Sequence, residues 1–155
     1  LALLGYGFLI IQINKFMEEI IFRGKVIDNS VCEIFEVGEF VYGDLIHYPN
    51  GETFIRQQET GMELPVNPNT VGQYTGLKDK NGQCIFEDDI IQFTRQQGYT
   101  STRKNSLRVV KFFTHAFCGF GYSEHEPLTE KKAKECIVIG NIYDNPELLK
   151  KINNN

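Results

Sequence analysis

Apolar and polar residues alternate over short runs along most of this chain, and Gly, Asn and Pro fall between the runs. Alternation places every second side chain on one face of a strand, so the pattern predicts a succession of short β-strands. In Glu19–Ile27, Ile20, Phe22 and Val26 share a face, and Gly24 is the expected site of a bulge or bend. Asp28-Asn29-Ser30 has turn chemistry. Glu39–Tyr48 reads as a strand pair or one bent strand kinked at Gly43, returned by a Pro49-Asn50-Gly51 hairpin along Glu52–Gln58. A Gly-, Pro- and Asn-rich loop, Gly61–Asn69, then divides the chain into two subregions.

The second half continues in the same way. Asp79-Lys80-Asn81-Gly82 predicts a two-residue hairpin of type I′ with Asn81 and Gly82 at its tip. Ser106–His115, Ala116–Ser123 and the apolar run Cys136–Tyr143 read as strands, and the charged Leu128–Glu135 as helix or loop. Asn145 as N-cap, Pro146 at the first helical position and Glu147 in the first turn announce a terminal helix. The sum is a mainly β (α+β) fold: a small β-barrel, SH3-like or partly open, with a short C-terminal helix.

Two stretches echo one another. Val41–Tyr48 and Phe86–Phe93 each carry an Asp, Asp44 or Asp89, directly before an apolar pair. Such an Asp is expected to accept backbone N–H groups as the chain turns into a strand. The adjacent acids Glu87, Asp88 and Asp89 alternate faces in a strand, which suits turn capping or solvation better than a metal. The stretch lacks both the G-K-[ST] ending of a phosphate loop and the acid register of a calcium loop.

Composition narrows the field. The 155 residues are 41% hydrophobic and 23% charged, with a net charge of −4, which suits one globular domain and disfavours a globally basic nucleic-acid binder. Cys32, Cys84, Cys118 and Cys136 form no C-x-x-C pair and read as reduced, buried thiols of a cytoplasmic protein. His115, Cys118 and His125 lack a local fourth ligand for zinc, so no metal and no cofactor are expected. No nucleophile stands in a catalytic context, so an enzyme is not expected. Residues 1–16 begin with an apolar run, Leu1–Ile11, too short to span a bilayer and without signal-peptide features; they read as an extension outside a domain of residues 17–155, with an added strand or hydrophobic anchor as the alternative, and no membrane partner is expected.

Five segments carry a family resemblance: "IIFRGK" (Ile20–Lys25), "VYGDLI" (Val41–Ile46), "TVGQYTGLKDKNG" (Thr70–Gly82), "IFEDDII" (Ile85–Ile91) and "VIGNIYDNPELL" (Val138–Leu149). In these the chain resembles the YopX proteins of bacteriophages and prophages. The resemblance implies a small, β-dominated phage protein with a barrel-like C-terminal part that self-associates in the cytoplasm of a bacterial host. It implies no activity, cofactor or catalytic residue.

One feature points to chemistry. No Asp or Glu lies between Asp89 and Glu124, and that window holds Arg95, Arg103, Lys104, Arg108 and Lys111, with Phe93, Tyr99, Phe112 and Phe113 among them. A basic loop joining two strands is what a small barrel would present to phosphates. Two functions follow: a phage accessory protein acting by self-association and protein contacts or, alternatively, a nucleic-acid-binding β-barrel using the basic loop 95–111.

Overall fold

The first strand already shows why this fold needs two packed surfaces. β1 (Phe22–Lys25) lies between β2 (Phe40–His47) and β5 (Gly72–Lys78), antiparallel to both, so neither of its edges meets solvent. The structure is a computed structural model that describes residues 20–30, 34–94, 106–113, 116–120 and 125–153. The extension 1–16, Cys32 and most of the basic loop therefore lie outside the described residues.

β1, β2 and β5 belong to a six-stranded sheet in the order β4-β3-β2-β1-β5-β6, with β3 at Thr53–Arg56, β4 at Glu63–Pro65 and β6 at Cys84–Phe86. A five-stranded sheet in the order β10-β9-β8-β7-β11 uses β7 (Asp89–Phe93), β8 (Leu107–Phe113), β9 (Ala116–Phe120), β10 (His125–Pro127) and β11 (Cys136–Asn141). The four-residue α1 (Glu130–Ala133), capped by Thr129, precedes β11, and α2 (Pro146–Asn153) follows it. The fold is mainly β with a short C-terminal helix, as the alternation predicts. Among the described residues the strands form two open sheets and no closed barrel. β4 and β10 are three residues long; the outer edge of β4 is covered by the chain beyond β1, where Ile27 N–H donates to Pro65 O and Val26 bridges Val66, and β10 ends on Pro127, which cannot donate to a further strand.

Three apolar clusters form the core, and their membership divides the chain. Val26, Val41, Ile55, Leu64 and Val66 pack together with Phe22, Phe35, Leu45, Met62 and Val71. Ile85, Ile91, Val110, Leu128, Ala133 and Cys136 form a second cluster, joined by Leu77, Phe93, Phe117 and Val138. Ile90, Leu107 and Ile152 form a third, which seats α2 through Leu148 and Leu149. The first cluster draws only on residues up to Val71, and the other two only on residues from Leu77 onward. The break follows the short 3-10 turn Pro68–Thr70, at the end of the loop that the sequence marks as a divider.

Several local expectations are corrected. Gly24 makes no bulge: it pairs in register with Val41, and a Cβ there would sit 2.9 Å from the Val66 side chain. The Asn81-Gly82 hairpin is not a two-residue type I′ turn. Only Gly82 has positive φ, +84°, whereas type I′ needs positive φ at Asn81 as well. Gly82 N–H donates to Asp79 O and Asp79 N–H to Gln83 O, which closes a three-residue loop ending in a left-handed glycine. The Pro49-Asn50-Gly51 loop repeats this pattern between Tyr48 and Glu52, with Gly51 at φ +90°. Asn145 does precede α2, but its side-chain oxygen accepts from Asn141 N–H, behind the helix.

Candidate functional site

The densest polar chemistry lies where the two halves meet, and it begins with one residue of β1. Phe22 and Gly24 face the first apolar cluster, so alternation sends Arg23 to the opposite side. That side faces the turn between β6 and β7 rather than water, and Arg23 is 5% exposed. Its guanidinium stacks between the Phe40 and Phe86 rings, 4.6 and 5.0 Å from their centroids. One terminal nitrogen lies 2.7 Å from Asp89 Oδ1, and the other donates to Glu87 O at 2.9 Å.

The β6–β7 turn supplies the acids. Asp89 is 2% exposed, and its second oxygen accepts Phe86 N–H at 2.8 Å. Burial pushes its carboxyl above the ordinary range, against the pull of the Arg23 guanidinium and the Phe86 amide. Asp88 takes the left-handed conformation, φ +68°, and is buried as well. Its carboxylate pairs with Lys111 and lies 2.5 Å from the Tyr143 hydroxyl, which also reaches Asn69 O at 2.9 Å. Burial, followed by the Asp88 hydrogen bond, raises the Tyr143 phenol. Lys25, two residues beyond Arg23, pairs with Asp144 and donates to Gly38 O. Beside this cluster is a hollow of about 380 Å³ lined by Ile21, Arg23, Tyr42, Gln83, Cys84 and Phe86.

The anticipated residues fall elsewhere or in other roles. Arg95, Arg103 and Lys104 lie outside the described residues. Arg108 and Lys111 are on β8 but three positions apart, hence on opposite faces. Arg108 is half-buried, with Nη1 donating to Leu107 O, and Lys111 is committed to Asp88. Phe112 and Phe113 end β8 roughly 20 Å from the start of that strand, where the basic loop joins it. The described cations and aromatics of the window therefore do not form one surface.

Of the four turn residues, Asp89 caps the turn into β7 as expected, and Gly82 ends its loop with the positive φ a glycine tolerates. Asn81 occupies the loop with negative φ. Asp44 is corrected: it lies within β2 opposite Arg56, exposed, accepting from the Gln58 side chain rather than from a backbone turn. The similar local sequence of Asp44 and Asp89 thus serves two different settings. Asp79, absent from the sequence candidates, is the strongest capping group. Oδ1 accepts Asn81 and Gln83 N–H at 2.8 and 2.9 Å, and Oδ2 accepts Val138 N–H at 3.0 Å. An Asp two residues before Asn-Gly was the available signal. Among the described residues no group of three His, Cys, Asp or Glu side chains could hold a metal ion, and no helix is long and apolar enough to cross a membrane.

Two open antiparallel sheets joined by a buried ion pair, with a short terminal helix, define the class of this protein. It belongs to the YopX protein family, whose model matches residues 44–150. Among solved structures it is similar to protein EF1440 from Enterococcus faecalis, with 21% identity and a TM-score of 0.49, covering 84% of this chain and 96% of that one. No curated protein matches.

Proposed function

We propose that this chain is a non-enzymatic accessory protein of phage or prophage origin, acting by self-association and protein contacts in the cytoplasm of a bacterial host. The supporting observation is where apolar side chains reach solvent. Ile27, Ile34 and Val37, 54, 82 and 61% exposed, stand on the excursion between β1 and β2, where Gly38 N–H donates to Val26 O and draws Ile27 and Val37 together. Phe112 and Phe113, at the end of β8, add one exposed ring to each face of that strand. Exposed apolar groups gathered in this way mark contact surfaces. Contacts through side chains also suit the protected edges: Val26 and Ile27 cover β4, β10 ends on proline, and Asp79 accepts the Val138 N–H of edge strand β11.

Nucleic-acid binding is the second reading, favoured by the acid-free window 90–123. Sedimentation velocity over a wide concentration range tests the first. The mass should rise with concentration, and Ile34→Lys with Val37→Lys should hold the protein monomeric. A monomer at every concentration, or association untouched by charges in either patch, overturns it. Fluorescence anisotropy with labelled oligonucleotides tests the second. Binding that weakens with salt, and whose log–log slope flattens by about 1.5–2 in Arg103→Ala/Lys104→Ala, would put it first.

A further inference from the structure

We propose that residues 21–71 open and close on residues 72–153 as a unit, held shut by the buried Arg23–Asp89 pair as a clasp. Among the described residues no apolar cluster crosses between the two parts, so each keeps its own core when they separate. Among the described residues strand pairing crosses only between β1 and β5, through Phe22 opposite Gln73 and Arg23 opposite Gly72. Tyr74 N–H adds one bond, to Ile21 O. The chain itself crosses once, after the Pro68–Thr70 turn.

What remains at the seam is largely polar. Arg23 reaches Asp89 and Glu87 O, Lys25 reaches Asp144, and the Tyr143 hydroxyl reaches Asn69 O. Two ring contacts accompany them, Phe40 with Tyr143 and Tyr42 with Phe86. Closing this seam removes a full ion pair from water, and that desolvation offsets most of the attraction. The packing is also incomplete. Arg23 Nε is buried without a partner, and the hollow of about 380 Å³ is lined from both sides, by Ile21, Arg23 and Tyr42 and by Gln83, Cys84 and Phe86. A polar, imperfectly filled seam between two filled apolar cores is where a sub-global opening falls below global unfolding. Opening would bare the facing edges of β1 and β5 and bring Arg23 and Asp89 to solvent.

Hydrogen exchange read residue by residue by NMR tests this on the unaltered protein. The Tyr74 amide should exchange through a smaller opening than amides of the β2–β3 ladder or of the β7–β8 ladder. Arg23→Ala should speed Tyr74 exchange by about a hundredfold or more while both ladders stay protected. Asp144→Asn, which removes the charge that pairs with Lys25 and weakens a hydrogen bond from the Asn141 side chain within the second part, should speed it about two- to fivefold. Should Arg23→Ala fail to fold, the unaltered protein decides alone. A Tyr74 amide that opens with the same free energy as both ladders, or an Asp144→Asn effect spread equally over all three, overturns the proposal.

Discussion

Replacing Asp79 should cost more than replacing any surface acid, because one carboxylate holds three backbone groups from two parts of the fold. It is 4% exposed, with Asn81 and Gln83 N–H on Oδ1 and Val138 N–H on Oδ2. A hydrogen bond to a charged group contributes about 1.5–3 kcal/mol, and three that share one carboxylate do not add in full. Asp79→Ala should therefore cost about 3–5 kcal/mol, a large share of the roughly 5–15 kcal/mol that holds a domain folded. Asp79→Asn separates the two functions of the group. Its amide oxygen still accepts from Asn81 and Gln83, but its NH2 meets the Val138 N–H donor to donor, so the cost should be about 1–3 kcal/mol. Urea unfolding reads both: the midpoint should fall in the order parent, Asn, Ala, with an unchanged slope. A cost under about 1 kcal/mol for Asp79→Ala would refute the reasoning. Equal costs for Asn and Ala would remove the Val138 bond from it.

Other expectations follow from single positions. Gly43→Ala would place a Cβ 1.9 Å from Arg56 O, a backbone atom that can move only with β3, so unfolding should show a loss of about 2–3 kcal/mol; no loss would mean the two strands are not so close. A Cβ at Gly82 meets nothing within 4 Å, so the cost of Gly82→Val, about 1–3 kcal/mol by urea unfolding, should come chiefly from holding a β-branched residue at positive φ, and Gly82→Asn should cost much less. Alkaline stability should fall early. Burial pushes the Tyr74 phenol and the Cys136 thiol up to about 12 and raises Tyr42 and Tyr143. The unfolded chain ionises these groups near 8.5 for Cys and about 10 for Tyr, so it loses protons first. Their contribution is full below about pH 8.5 and is lost as pH rises towards about 12; an unfolding free energy flat across that range would contradict it.

Much of the strand content was legible because strands with one wet face alternate plainly. Glu39–Tyr48 holds β2, and the two Asn-Gly hairpins lie where their turn residues put them. The short strands β4 and β10 were not legible: three residues carry too little periodicity, and the proline that ends each reads as loop. The turn type was misjudged because Asn-Gly serves a two-residue loop and a three-residue loop alike, and what separates them is the φ of Asn81. The polar seam was hidden for a further reason. Alternation marks Arg23 as a solvent-facing residue of β1, and only the tertiary position of Glu87, Asp88 and Asp89 turns that face inward. Likewise Lys111 looks like part of a basic surface until Asp88, distant in sequence, is placed beside it.

A buried ion pair is weak evidence for stability, since an apolar pair of equal volume often does as well. Its place on β1 suggests what it adds. Phe22 and Gly24 face the first apolar cluster, Gly24 so closely that Val66 fills the space of a side chain, while Arg23 faces the acids. A slip of β1 by one residue against β2 and β5 exchanges the two faces. Arg23 would then enter the cluster of Val26, Val41, Ile55, Leu64 and Val66, and Asp89 would remain buried without its partner. Each of these errors costs about 3–5 kcal/mol. An apolar residue at position 23 would remove this charge penalty and leave the close approach of Gly24 to Val66 as the main obstacle to the slip. On the β2 side four residue pairs hold the alignment of β1, but on the β5 side there are only two, and there the charge reinforces a register that so short a ladder specifies weakly.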